Sequence, residues 1–304
     1  MDYQAIIEKI YAEIQPVVGK GKVADYIPAL ANIDDNQFAM AVVTVDGKEY
    51  TVGKTYENFS IQSISKVFTL TIAMNDIGDK LWERVGREPS GTSFNSLVQL
   101  EYENGIPRNP FINAGAIVVS DAIFEGRGKT KNKILKFVRE LSGNKTITYD
   151  EEIAESERKF GNRNRAMANL IKSFNNLTNE ADEVLDIYFH QCAIAMNTLD
   201  LAKSFLYLAN SGIDPKSGSQ ILNYRMSKKM NSLMLTCGMY DAVGDFAYRV
   251  GLPAKSGVGG GIVAVVPNEL AVAVWSPALN KYGNSFAGTK ALELFTTYAN
   301  NSIF

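Results

Sequence analysis

Residues 246–277 read FAYRVGLPAKSGVGGGIVAVVPNELAVAVWSP and hold three short runs rich in β-branched residues. Leu252-Pro253, the glycines Gly257, Gly259, Gly260 and Gly261, and Pro267-Asn268 separate them. Short apolar runs between such punctuation predict consecutive strands. Matching signals occur near the other end of the chain. There FAMAVVTV (Phe38 to Val45), Asp46-Gly47 and KEYTVG read as two strands joined by a tight hairpin turn. The chain opens with Ile6, Ile7, Ile10, Tyr11 and Ile14 at helical spacing, a helix expected to stop near Pro16. Ser63 to about Ile77 reads as a buried helix approached through a polar turn, and Ser285 to Tyr298 as a terminal helix. From about Leu81 to Met234 strand signals are sparse. Helical spacing dominates there, at Ile134 to Leu141, Arg165 to Phe174, Glu183 to Met196 and Leu199 to Asn210. The expected fold is therefore α+β: an antiparallel sheet built from N- and C-terminal segments and flanked by helices, with an inserted all-helical domain. Residues 1–80 plus 235–304 form the sheet-and-helix domain in this reading, 81–234 the helical domain, and the active site lies between them.

The chain has 304 residues, 46% hydrophobic and 21% charged, with 31 basic against 33 acidic side chains. This is a globular composition, and the length fits two domains or one domain with an insertion. A formal charge of -2 offers no broad attraction for phosphate backbones or anionic lipid, so neither nucleic acid nor membrane is an expected partner. Cys192 and Cys237 lack C-x-x-C spacing, which argues against zinc fingers and disulfide scaffolds. The single histidine, His190, excludes a His-cluster metal site, and neither metal nor cofactor is expected. No stretch reaches the roughly 18 apolar residues of a membrane span, and no targeting segment is seen; the expected location is the cytoplasm.

One histidine leaves a Ser-His-Asp triad a single possible base, so a hydrolase of this composition is expected to move protons by other means. Gln62-Ser63-Ile64-Ser65-Lys66 offers one, an S-x-x-K at a helix start. On a helix that spacing puts both side chains on one face, where a neutral lysine can take the serine's proton. The spacing alone is weak: about one S-x-x-K arises by chance in a chain this long. Ser142/Lys145 and Ser156/Lys159 match it too, in polar segments expected to be exposed. Lys255-Ser256-Gly257 lies on a predicted strand. A Lys-Ser/Thr-Gly strand accompanies S-x-x-K in serine acyl-transfer enzymes, where glycine lets the substrate approach a backbone N–H. The two motifs, in this order and on these elements, weigh more than either alone. GVGGG resembles a phosphate cradle, but no Gly-Lys-Ser/Thr follows it and no βαβ unit surrounds it.

Seven stretches now carry a family resemblance: VADYIPAL (23–30), QSISK (62–66), GREPSG (86–91), NPFINAGAIVV (109–119), SERKFGNRNRA (156–166), CGMYDAVGDFA (237–247) and GLPAKSGVGGGI (251–262). Together they resemble the serine-dependent glutaminase family, whose fold is similar to that of serine β-lactamases and penicillin-binding proteins. The resemblance runs from about Val23 to about Asn284.

It implies hydrolysis of the side-chain amide of L-glutamine to L-glutamate and ammonia through a glutamyl-serine ester, with Ser63 as nucleophile and Lys66 as base. A lysine base needs its pKa brought from its ordinary value to about neutrality, at a cost of about 4 kcal/mol, by desolvation and nearby cations such as Lys255. The resemblance also implies Tyr26 and Tyr240 as proton carriers and the backbone amides of Ser63 and Val258 as an oxyanion hole. Glu157 would hold the substrate ammonium, with Asn113, Asn164 and Tyr188 around the carboxylate end. Read without the resemblance, Glu157 lies in the charged run EESERK, ordinarily a solvated helix face. His190 is read as structural. The resemblance further implies a homotetramer. Two other readings compete: a penicillin-recognising enzyme sharing both motifs, and a non-enzymatic sensor of the same fold.

Overall fold

The strands expected at the two ends of the chain pair into one sheet in the computed structural model, which describes residues 1–90 and 96–304. Gly91 of the GREPSG stretch lies outside the described residues. The hairpin is β1 (Ala39–Thr44) and β2 (Glu49–Gly53). Between it and the later strands come the short β3 (Phe59–Ser60), β4 (Thr148–Tyr149) and β5 (Ile194–Met196); then follow β6 (Ala254–Ser256), β7 (Gly261–Val266) and β8 (Leu270–Trp275). The large sheet has the order β2-β1-β8-β7-β6, antiparallel throughout. N- and C-terminal strands meet at β1 and β8, where Ala41 faces Ala273.

All residues of β1, β7 and β8 are buried, so strand alternation feeds two covered faces. On one face Met40, Val42, Ile262, Val272 and Val274 pack with Ile7, Ile10 and Ile14 of α1 (Tyr3–Ile14) and Leu292 and Phe295 of α12 (Phe286–Ala299). The Asp2 carboxylate caps α1 by accepting the Ala5 N–H at 3.1 Å, and Pro16 falls in the 3-10 turn that follows. The opposite face presents Ala41, Val43, Val263, Val265, Ala271 and Ala273. Its alanines let α9 (Thr198–Ala209) lie directly on β1, β7 and β8.

The other helices are α2 (Ser65–Ile77), α3 (Leu97–Tyr102), α4 (Asn113–Ala122), α5 (Arg127–Ser142), α6 (Glu151–Phe160), α7 (Asn162–Ser173), α8 (Ala181–Cys192), α10 (Tyr224–Cys237) and α11 (Val243–Arg249). The expected all-helical insertion needs one correction, because β4 and β5 lie within it and join β3 in a second sheet of order β3-β5-β4. Helical spacing read from Glu183 to Met196 in fact ends at Cys192. Ile194 to Met196 are a short apolar run with little local preference, and pairing with Phe59–Ser60 and Thr148–Tyr149 makes them a strand. Among the described residues no helix is long and apolar enough to cross a membrane.

α2 runs through the interior, with every residue from Ser65 to Met74 buried. Ser63 does not open this helix. It sits in a 3-10 turn, Gln62–Ile64, just ahead of it, and that turn, polar in sequence at Gln62 and Ser63, is buried.

Candidate active site

The 3-10 turn that holds Ser63 and the residues just before it pack against the loop between β6 and β7. A side chain at Gly257 or Gly259 would put its Cβ 2.3 Å from the Ile61 carbonyl oxygen or 2.1 Å from that of Ser60, so the approach requires glycine. Between them stands Val258. The Gly257 and Gly260 N–H groups donate to Gly261 and Gly257 carbonyls at 2.9 and 3.0 Å, whereas among the described residues the Val258 N–H has no protein acceptor. A free amide beside a buried serine can receive a developing oxyanion.

Lys66 follows one turn later and is almost fully buried. Its Nζ donates to the Phe111 carbonyl at 3.0 Å and to Asn113 Oδ1 at 2.8 Å. Burial draws its pKa down to about 8, with Cys192 and Glu157 opposing the shift. That is short of neutrality, and the cause is desolvation. Like-charge repulsion registers instead on Lys255, held well below the ordinary lysine range by burial first and by Lys66 second.

Lys255 projects from β6 and donates to the Gly238 and Ser256 carbonyls at 3.0 and 2.6 Å. Its Nζ lies 4.5 Å from the centroid of the Tyr240 ring, a cation–π contact. Tyr240 adopts a left-handed backbone, φ +51°, at the start of a 3-10 turn. Its hydroxyl is within hydrogen-bonding reach of the Ser63 side chain and stands 3.5 Å from the Ser256 carbonyl. Burial keeps this phenol protonated, far above its ordinary range.

A cavity of about 370 Å³ is lined by Tyr26, Ile27, Asn113, Glu157, Phe160, Gly161, Arg163 and Asn164. Glu157 is only 7% exposed, contrary to the solvated face suggested by EESERK. It shares the inner side of α6 with Ile153 and Ala154, and that spacing, four and three residues before it, was the available signal. Burial raises its pKa to about 7, with Lys66 opposing. Among the described residues its carboxylate has neither an ion pair nor a hydrogen-bond partner. Asn113 Nδ2 donates to Asn164 Oδ1 at 3.1 Å, which ties α4 to α7 at the cavity wall. Tyr188 is buried on α8 with its ring centroid 5.9 Å from Lys66 Nζ.

Tyr26 differs from the rest: it stands on the cavity rim, 59% exposed. His190 lies outside the cluster, its Nδ1 2.7 Å from the Asp186 carbonyl and its Nε2 3.4 Å from Lys131 Nζ. The other two S-x-x-K pairs form no such site, since Lys145 and Lys159 are exposed, although Ser142 is buried where exposure was expected. One member of the cluster escaped the sequence reading. Cys192 is buried within the field of Lys66, Glu157 and Lys255, with the Tyr188 side chain near its sulfur. Burial, then Glu157, pushes the thiol up to about 12, so it is neutral. Its position four residues after Tyr188 on one helix face was the only sequence signal.

The chain matches the family model described as Glutaminase over residues 21–304. It is 58% identical over 305 residues to a glutaminase of Aliarcobacter butzleri, covering 100% of each chain. Among solved structures it is similar to a probable glutaminase, ybaS, with a TM-score of 0.94, 36% identity and coverage of 99% of this chain and 97% of that one. It is also similar to the covalent complex between the Bacillus subtilis glutaminase YbgJ and 5-oxo-L-norleucine, formed by reaction with 6-diazo-5-oxo-L-norleucine. There the TM-score is 0.91 and the identity 33%, with 100% of both chains covered.

Proposed function

The chain belongs to the glutaminase family, and from that premise we propose how its residues hydrolyse L-glutamine to L-glutamate and ammonia. Ser63 Oγ attacks the side-chain amide carbon while Lys66 takes its proton. The hydrogen bonds of Lys66 support this role. A neutral amine has two N–H donors and one lone pair; the Phe111 carbonyl and Asn113 Oδ1, at 3.0 and 2.8 Å, occupy both donors and leave the lone pair for the serine. The amides of Ser63 and Val258 receive the oxyanion. Tyr240, within reach of Ser63, gives its phenol proton to the departing nitrogen and regains one from the Lys66 ammonium; the C–N bond breaks, and ammonia leaves a glutamyl-serine ester with Lys66 neutral again. Water then cleaves the ester and returns the proton to Ser63. Lys255 holds the Tyr240 ring by its cation–π contact, and Tyr26 closes the rim over the substrate.

Glutamine carries an ammonium and a carboxylate. Glu157 takes the first, and Asn113, Asn164 and Tyr188 surround the second. The observation that carries this reading is a buried carboxylate, unpartnered among the described residues, that faces a cavity of about 370 Å³ beside the buried Ser63 and Lys66. A charge-assisted contact contributes about 1.5–3 kcal/mol, so Glu157→Gln is expected to raise the glutamine KM about 10- to 100-fold with kcat within a few-fold. Steady-state kinetics of the folded variant check this, and an unchanged KM would overturn the assignment. The penicillin-recognising and sensor alternatives are not favoured, because a curated relative matched along the full length is a glutaminase. We further place the site between units 1–80 plus 235–304 and 81–234, in a cytoplasmic homotetramer. The family resemblance supports the tetramer, and two unbridged cysteines suit a reducing compartment.

A further inference from the structure

The residue before the nucleophile has a backbone that needs holding. Gln62 has φ +48° and is not glycine, a left-handed conformation that such a residue keeps only where its surroundings over-determine it. Gln62 and Ser60 are both buried. Gln62 Nε2 donates to Ser60 Oγ at 2.9 Å, and Ser60 Oγ donates in turn to the Cys192 carbonyl at 2.8 Å. The Ile61 N–H donates to the Ile194 carbonyl at 3.0 Å, joining the same two segments through the backbone. Cys192 is the last residue of α8, where carbonyls have run out of helical donors, so the Ser60 hydroxyl satisfies a group the helix cannot.

We infer that Ser60 is a positioning residue for Ser63: its hydroxyl ties the Gln62 side chain to the end of α8 and so fixes the turn that aims the serine. The same helix carries Tyr188 and Cys192 into the site, so nucleophile and substrate wall share one support. The inference rests on the reading of Ser63 as nucleophile. Ser60→Ala leaves a buried amide and a buried carbonyl without their shared partner and releases the turn.

The test is kinetics of Ser60→Ala, Ser60→Thr and Gln62→Gly with L-glutamine, alongside the rate of covalent labelling by 6-diazo-5-oxo-L-norleucine. The Ala variant is expected to lose about tenfold in kcat and in labelling rate, with KM within about twofold. Ser60→Thr restores the hydroxyl and is expected within about threefold of wild type. Gln62→Gly loses the anchor together with the left-handed strain that the anchor opposes, so it is expected to lose less in kcat and labelling rate than the Ser60→Ala variant. Wild-type kcat in Ser60→Ala overturns the inference, as does a Gln62→Gly variant slower than Ser60→Ala. So does a Thr variant as slow as Ala, or a rise in KM with kcat unchanged. Full activity in Ser63→Ala would instead remove the underlying reading of the nucleophile.

Discussion

Two pKa values at the level of single residues set a pH profile. Glu157 lies at about 7, raised by burial, so the negative charge that its proposed role requires is lost as pH falls through that value. The glutamine KM should therefore fall as pH rises through about 7. Lys66 lies at about 8, lowered by burial, and its neutral form grows as pH rises through that value, so kcat should rise there. Both limbs raise kcat/KM between about pH 6 and pH 9. In Glu157→Gln the lower inflection is expected to vanish, and in Lys66→Ala the upper one, together with most of the activity. An inflection near 8 that survives in Lys66→Ala would remove the lysine from the role of base. These residues were legible to different degrees. Ser63, Lys66 and Lys255 sit in motifs whose spacing has a chemical reason. Glu157 is hidden in a charged run, and only its place beside Ile153 and Ala154 betrays an inward face. Cys192 carries no motif at all, and only the packing of α8 against α2 and α6 reveals it.

Among the elements, the glycine loop between β6 and β7 makes the sharpest claim. Gly259→Ala would drive a Cβ to 2.1 Å from the Ser60 carbonyl, a backbone atom that cannot swing aside. Overpacking of this kind costs about 1–3 kcal/mol, so a lower Tm and a displaced, slower Ser63 are expected. Val258→Ala keeps the amide and is expected to hold kcat within about threefold, whereas wild-type activity and Tm in Gly259→Ala would contradict the close approach. Strands β6, β7 and β8 could be read from their punctuation, and the hairpin from Asp46-Gly47. β5 could not, because three apolar residues take their conformation from β3 and β4, both distant in sequence.

At the scale of the whole molecule, the two ends of the chain close one sheet, and α1 and α12 seal its face. Ile10 is fully buried there, and Ile10→Ala is expected to cost about 2–5 kcal/mol in stability while KM of the folded protein stays unchanged. Thermal melts with matched kinetics check the separation; a shifted KM would mean the outer layer reaches the site. The sheet brings Lys255 and Val258 from near the end of the chain to Ser63 near its beginning, and the inserted helices bring Glu157, Asn164 and Tyr188 to the same place. The central claim is that glutamine hydrolysis runs through Ser63. Ammonia release from L-glutamine by wild type and by folded Ser63→Ala tests it most directly: a fall of about a thousandfold or more is expected, and equal rates in the two proteins would contradict it.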